Sequence, residues 1–351
     1  MTLPSAPTAP AQARKARAGA VTARRRVVGL VVCLVVLLVA VVASVAVGSR
    51  AVSLPDIVAG VFSPDPDDIA QVAVHQRLPR TLLGLLVGAA LGLAGGVMQG
   101  LTRNPLADPG LLGVNAGASF FVVLALSFLG VGSLSSAVWF AFVGAAVTSA
   151  GVWAVGSLGR AGATPLKLAL AGAATAAAFT SLTTLVLLSQ REVLEVFRFW
   201  QVGSVGGASF SEILTVLPFL AVGAFLAVAL AGGLTNLALG DDVATALGQR
   251  TGLTRVAGGV AVVLLCGTAV AVAGPIGFVG LTMPHLARLF TGPDYRWILP
   301  YAAALGAALL VLADVLGRVV ADGEIEVGVM TALLGAPFFV AVVRRTRLRE
   351  L

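Results

Sequence analysis

Charge is scarce in this sequence. Only 11% of its 351 residues are charged while 58% are hydrophobic, and a water-soluble fold of that length cannot cover its surface with so few ionised groups. The deficit excludes a soluble globular protein and leaves an integral membrane protein. Aromatic residues are also sparse, at 6%, whereas glycine occupies 42 positions. Small side chains let helices approach closely inside lipid, where water no longer drives apolar association, so the expected fold is an all-α bundle. Cysteine occurs twice, at Cys33 and Cys266, each alone in an apolar run, which excludes a disulfide framework and a thiolate metal site. The two histidines, His75 and His285, have no Cys, His or carboxylate at metal-ligating spacing, so no metal ion is expected on this chain. There is no GxxxxGK[ST] phosphate loop, which excludes ATP hydrolysis by this chain of the phosphate-loop kind. The stretch GSVGG at 203–207 is similar to a serine-hydrolase turn, yet no histidine falls at a comparable depth, which argues against an intramembrane hydrolase.

What the sequence does contain is a series of long apolar runs. Residues 1–26, rich in Ala, Pro and Arg, read as a disordered basic tail ending in Arg24, Arg25 and Arg26. The run Val27 to Val47 is close to a full bilayer crossing and longer than the core of a cleaved signal peptide. Further runs lie near 78–101, 111–130, 135–158, 166–189, 212–234, 255–273, 276–291, 297–319 and 327–343. Together they give about ten transmembrane helices in a membrane domain spanning 27–343, with 344–351 as a second basic tail. The Gly-Pro pair at 274–275 either kinks one helix or turns between two.

The formal net charge is +7. The basic residues cluster at the two ends and in short loops, a pattern that sets topology and needs no nucleic acid. With a cytoplasmic start and ten crossings, six of the 23 Lys and Arg residues fall outside, namely Arg50, Arg77, Arg80, Arg191, Arg198 and Arg318. The remainder lie inside, a bias that puts both termini in the cytoplasm. Arg77 and Arg80, in VHQRLPRTLLG, are exceptions at the outer face, as is Arg318 near the outer end of the ninth run. Either they are anchors that snorkel to the interface, or they dock an acidic surface of a soluble partner, a task suited to the forked guanidinium. Asp314 stands one turn before Arg318 and can match part of its charge.

Two polar stretches face inward. In NPLADPG, Pro105 stops one helix while Asp108 can cap the next with Pro109 in its first turn, which reads as a structural turn. The stretch NLALGDDVATALGQRTGLTR, residues 236–255, is too polar to cross. Asp241 and Asp242 stand at a plausible helix start, followed by Val243, Ala246 and Leu247 at helical spacing and then Gly248. A short amphipathic helix at the inner surface is expected there.

RLPR before a small-residue helix, then MQGLTRNPLADPGLLGVNAGAS, AGPIGFVGLTMPHLARL and EVGVMTALLGAPFF, occur in that order. From about residue 50 to 343 the chain resembles the FecCD-type permeases of bacterial ABC importers, a family that carries iron-siderophores, haem and cobalamin. The resemblance implies a type II ABC importer permease bundle with ten helices per subunit, multi-pass in the bacterial inner membrane. It implies a second permease subunit, in a homodimer or a paralogous heterodimer, and two cytoplasmic ATPase subunits that hold ATP and Mg. An extracytoplasmic substrate-binding protein would deliver a ferric siderophore or similar chelated-metal cofactor, with no cofactor on this chain. An ion-coupled secondary transporter is the alternative, but no Asp, Glu or Lys lies at the middle of any run to serve as its relay. A membrane scaffold without transport is a third class.

The same resemblance assigns roles to residues. Arg77 and Arg80 of RLPR and Arg318 of LADVLGR would pair with glutamates on the binding protein. Residues 238–252 would enter a cleft of the ATPase, with Val243 and Leu247 as buried knobs and Asp241, Asp242 and Arg250 on a polar rim. The cytoplasmic gate would fall at Thr164, Pro165 and Leu166, just before KLALAG. Pro165 and Leu166 depart from the small hydroxylated residues that relatives can carry there.

Overall fold

The structure is a computed structural model and describes residues 9–48, 52–131, 134–158, 164–321 and 323–347. Among these residues all regular structure is helical. Helix α1 (Ala9–Ala46) carries the first apolar run, and its candidate span is Arg24–Ala46. The helix begins at Ala9, inside the stretch 1–26 read as a tail, where an Ala-rich composition favours a helix. A short helix α2 (Leu54–Phe62), capped by Ser53, precedes α3 (Ile69–Thr102). Asp68 caps α3 through the N–H of Ala70, 2.8 Å away. Helix α3 stops at Arg103, which adopts a left-handed φ of 52°, so the turn begins before Pro105.

A 3-10 turn at Pro109–Leu112, capped by Asp108 as its sequence suggests, leads into α4 (Val114–Phe128). Then come α5 (Leu134–Gly156), α6 (Pro165–Leu188), the amphipathic α7 (Arg191–Val202), α8 (Phe210–Ala229), α9 (Ala231–Ala238) and α10 (Asp241–Ala246). Helix α11 (Thr251–Val262) passes through a π turn, Val263–Gly267, into α12 (Thr268–Ala273). The Gly274-Pro275 pair is a true break: Gly274 has φ 70°, and the helix resumes only as α13 (Val279–Thr291). Helices α14 (Tyr295–Val319) and α15 (Val327–Arg347) complete the chain, the last running past residue 343 into the expected basic tail.

All ten apolar runs fall on helices. Among the described residues, seven helical segments are long and apolar enough to cross a membrane, while Val114–Phe128 and Val327–Ala341 are shorter apolar helices. In their most apolar windows α3 and α14 are 78% and 72% buried, against 17% for α1 and α6. The centre of the subunit is therefore α3 on α14. Glycine makes that contact possible: a Cβ at Gly88 would strike the carbonyl of Gly306, and one at Gly92 the carbonyl of Ala302. Such small-residue seams replace the hydrophobic drive that lipid removes. Helix α4 packs between α5 and α6 in a second group, again through glycine, with Gly117 against Gly144. The outcome fixes two ends: the starts of α3 and the finishes of α1 and α14 meet on one side, and the α9–α10–α11 corner lies beside Arg103 on the other.

Candidate functional site

The C-terminal carbonyls of α1 are the origin of the first site. A helix leaves its last carbonyls without intrahelical donors and carries partial negative charge there. Arg77 Nη1 donates to the Val45 and Ala46 carbonyls at 3.0 and 3.1 Å. Arg318 Nη1 donates to Ser44 and Val47 at 2.9 and 3.1 Å, and its Nη2 donates to Ser44 Oγ at 2.7 Å. Ser44 in turn shares a hydrogen bond with Thr81, 2.7 Å away, so α1, α3 and α14 are laced together by polar groups at one level.

Asp314 is the hub of this cluster. Arg80 Nε and Nη2 donate to its Oδ1 at 3.0 and 2.8 Å, and Arg318 Nη2 lies 2.9 Å from Oδ2. The Asp314 side chain is 3% exposed, and only the paired guanidiniums make a carboxylate there tolerable. Arg80 Nη1 has a different partner, Glu324, at 2.8 Å. A cavity of about 380 Å³ opens beside the cluster, lined by Gln76, Arg77, Arg80, Gly206, Arg318 and Glu324.

The structure thus brings Arg77, Arg80 and Arg318 together. Arg77 and Arg318 are 8% and 4% exposed, drawn inward by the α1 carbonyls and Asp314. The i to i+4 pairing of Asp314 with Arg318 follows the sequence spacing. The Arg80–Asp314 fork was not foreseen, nor was Glu324. The acidic loop ADGEIE, directly after Arg318, was the available signal for Glu324.

The second site is the corner at 239–250. Gly240, with φ 114°, opens α10, and Gly248, with φ 78°, closes it. Both positions favour glycine because a Cβ is strained at such φ. Helix α10 has six residues and runs from the expected acidic start at Asp241 to just before Gly248, inside the 238–252 stretch. The Gln249 side chain holds the corner by donating to the Gly233 carbonyl and Thr254 Oγ1, both at 3.0 Å. Val243 and Leu247 are 44% and 61% exposed while Ala244 is buried. Two apolar side chains four residues apart therefore project from one face. Asp242 and Arg250 are exposed beside them.

Asp241 is paired within the chain. It accepts two hydrogen bonds from Arg255 Nη2, at 2.9 and 2.8 Å, and Arg103 lies 3.8 Å away. Two cations near the N-terminus of α10 hold it as an anchor to α11 and to the end of α3. Its side chain is still 41% exposed.

The expected gate residues form a helix start. Thr164 Oγ1 accepts from Lys167 N at 3.4 Å, Pro165 occupies the first turn of α6, and Leu166 is 70% exposed. Lys167 Nζ donates to the Leu158 carbonyl at 2.9 Å, which spans the stretch 159–163 outside the described residues. One further polar lock has no sequence signal: Arg288 donates to Gln99 Oε1 at 2.6 Å and to Tyr295 Oη at 2.8 Å, tying α3, α13 and α14. His285, near this lock, lines a small recess with Pro105, Leu106, Phe338 and Phe339.

Comparison with known proteins extends these observations. The model of the FecCD transport family matches residues 36–345. The chain is 46% identical over 319 residues to the probable siderophore transport system permease protein YfiZ of Bacillus subtilis (strain 168), covering 90% of this chain and 96% of that relative. It is 48% identical over 275 residues to the ferric enterobactin transport system permease protein FepD of Escherichia coli (strain K12), covering 78% and 82%. Among solved structures, a metal-chelate type ABC transporter in an inward-facing conformation superposes with a TM-score of 0.78 at 30% identity, over 90% of this chain and 98% of that one.

Proposed function

This chain belongs to the FecCD transport family, and from that premise we propose that it is the membrane-spanning permease subunit of an ATP-driven importer for a ferric siderophore or a similar metal chelate. It is a transport subunit and not an enzyme. The observation that carries the reading is the 46% identity to a siderophore-system permease along 90% of the chain. The inward-facing metal-chelate transporter fold supports it independently.

In this reading two copies of the permease, or this chain and a paralogue, enclose the path in the cytoplasmic membrane. A binding protein loaded with cargo docks through acidic groups over Arg77, Arg80 and Arg318 on the extracytoplasmic side. Two ATPase subunits holding ATP and Mg grip the α10 corner from the cytoplasm, with Val243 and Leu247 as the inserted apolar pair and Asp242 and Arg250 around them. Asp241 positions that corner through Arg255 and Arg103. ATP-driven motion of the corner rocks the bundle between outward-open and inward-open states, and the start of α6 at Thr164, Pro165 and Leu166 narrows the cytoplasmic exit. Both termini lie in the cytoplasm.

The test is uptake of radiolabelled iron into proteoliposomes holding the permease with its ATPase, using ferric enterobactin, ferric hydroxamate, ferric citrate and hemin as a panel. Uptake that requires both ATP and a binding protein is the expected result. Uptake that continues without ATP and follows an ion gradient would replace this reading with secondary transport.

A further inference from the structure

The outer arginine cluster contains one bond unlike the rest. Arg77 and Arg318 are committed to the carbonyls that end α1, and two nitrogens of Arg80 are committed to the buried Asp314. The third, Arg80 Nη1, instead meets Glu324, whose side chain is 47% exposed. Asp314 is fixed on a helix and 3% exposed. Glu324 sits in the short connection between α14 and α15, next to Gly323, where a Cβ would touch nothing. Within this connection Ile325 N anchors to the Gly317 carbonyl at 2.9 Å, but that bond does not hold the Glu324 side chain.

We propose that Glu324 is an exchangeable placeholder: its carboxylate occupies the position on Arg80 that an incoming partner carboxylate takes when an acidic protein surface docks. The inference rests on the docking reading above and adds the residue that sets its selectivity. An ion pair with one partly exposed member is weak and easily exchanged, because water screens it and ordering the side chain costs entropy. A partner carboxylate can therefore displace Glu324 without disturbing the Arg80–Asp314 fork. A neutral surface cannot, because it would leave Arg80 Nη1 without an anion. In the undocked state Glu324 also balances part of the charge of three clustered guanidiniums, which lowers nonspecific anion binding.

The experiment uses the full chain in nanodiscs and a fluorescein-labelled hexaglutamate peptide as probe, titrated at fixed low salt. Glu324→Gln keeps the size of the side chain and removes its charge, so peptide affinity should rise roughly threefold or more. Glu324→Asp should stay near the unaltered protein. Arg80→Gln should weaken binding, and in the double variant the gain from Glu324→Gln should vanish. If Arg80→Gln weakens binding while Glu324→Gln leaves it unchanged or reduces it, the placeholder is overturned and docking at the arginines stands. If Arg80→Gln has no effect on binding, the docking reading fails and the placeholder fails with it.

Discussion

Arg80 and Asp314, separated by 234 positions in the chain, form a forked ion pair in which Arg80 Nε and Nη2 reach the same carboxylate at 3.0 and 2.8 Å. The pair joins the start of α3 to the end of α14, and through Arg318 and Ser44 it reaches the end of α1. This end of the bundle is thereby a charged platform tied across three helices and not a set of loose anchors.

Replacing Asp314 with Asn removes the carboxylate that pairs with both Arg80 and Arg318, leaving two guanidiniums poorly compensated beneath the surface. Breaking one partner out of a buried pair costs about 3 to 5 kcal/mol. Thermal unfolding in detergent micelles should show a clear loss of midpoint for Asp314→Asn, and a smaller loss when Arg80→Met accompanies it. Equal midpoints for the single variant and the unaltered protein would remove Asp314 from its central place.

The seam between α3 and α14 should be intolerant of side-chain volume. A Cβ at Gly92 would overlap the carbonyl of Ala302, a backbone atom with no freedom to swing aside. Gly92→Val should force the two central helices apart, with a cost of about 1 to 3 kcal/mol or more. Folded yield and thermal midpoint report it. Gly207→Val, where a Cβ meets nothing, should leave both unchanged.

Val243 and Leu247 are exposed in the isolated subunit, so Val243→Asp and Leu247→Asp should leave its folding intact. Co-purification with the ATPase should be lost, or ATP hydrolysis should run without iron uptake. Normal coupled uptake in both variants would move the ATPase contact elsewhere.

How far the sequence disclosed this arrangement depended on distance along the chain. The apolar runs were visible because lipid demands about 20 consecutive apolar residues, and each run falls on a helix. Helices α2 and α7 escaped notice, being short and flanked by charged residues that hydropathy passes over. The Asp314–Arg318 pair was visible as a spacing of four, whereas Arg80–Asp314 arises only when α3 packs on α14. The resemblance of RLPR and LADVLGR to known motifs drew attention to three arginines that the fold brings together. It did not reveal that they turn inward, because the orphan carbonyls of α1 that attract them lie some thirty residues upstream of Arg77, at distances that no local pattern encodes. At the corner 239–250 the apolar pair Val243 and Leu247 is exposed, and the partners of Asp241, namely Arg103 and Arg255, lie too far along the chain for a local pattern to show them.

The sidedness of the two sites is the simplest thing to measure. The native thiols Cys33 and Cys266 are buried, so single cysteines placed at Gly207, beside the arginine cluster, and at Leu247, on the α10 corner, can be probed with a membrane-impermeant maleimide. Intact cells should label position 207 and spare 247, and inverted membrane vesicles should do the reverse. Labelling of 247 from outside the cell, or of 207 only from within, would contradict the placement of docking and ATP coupling on opposite faces.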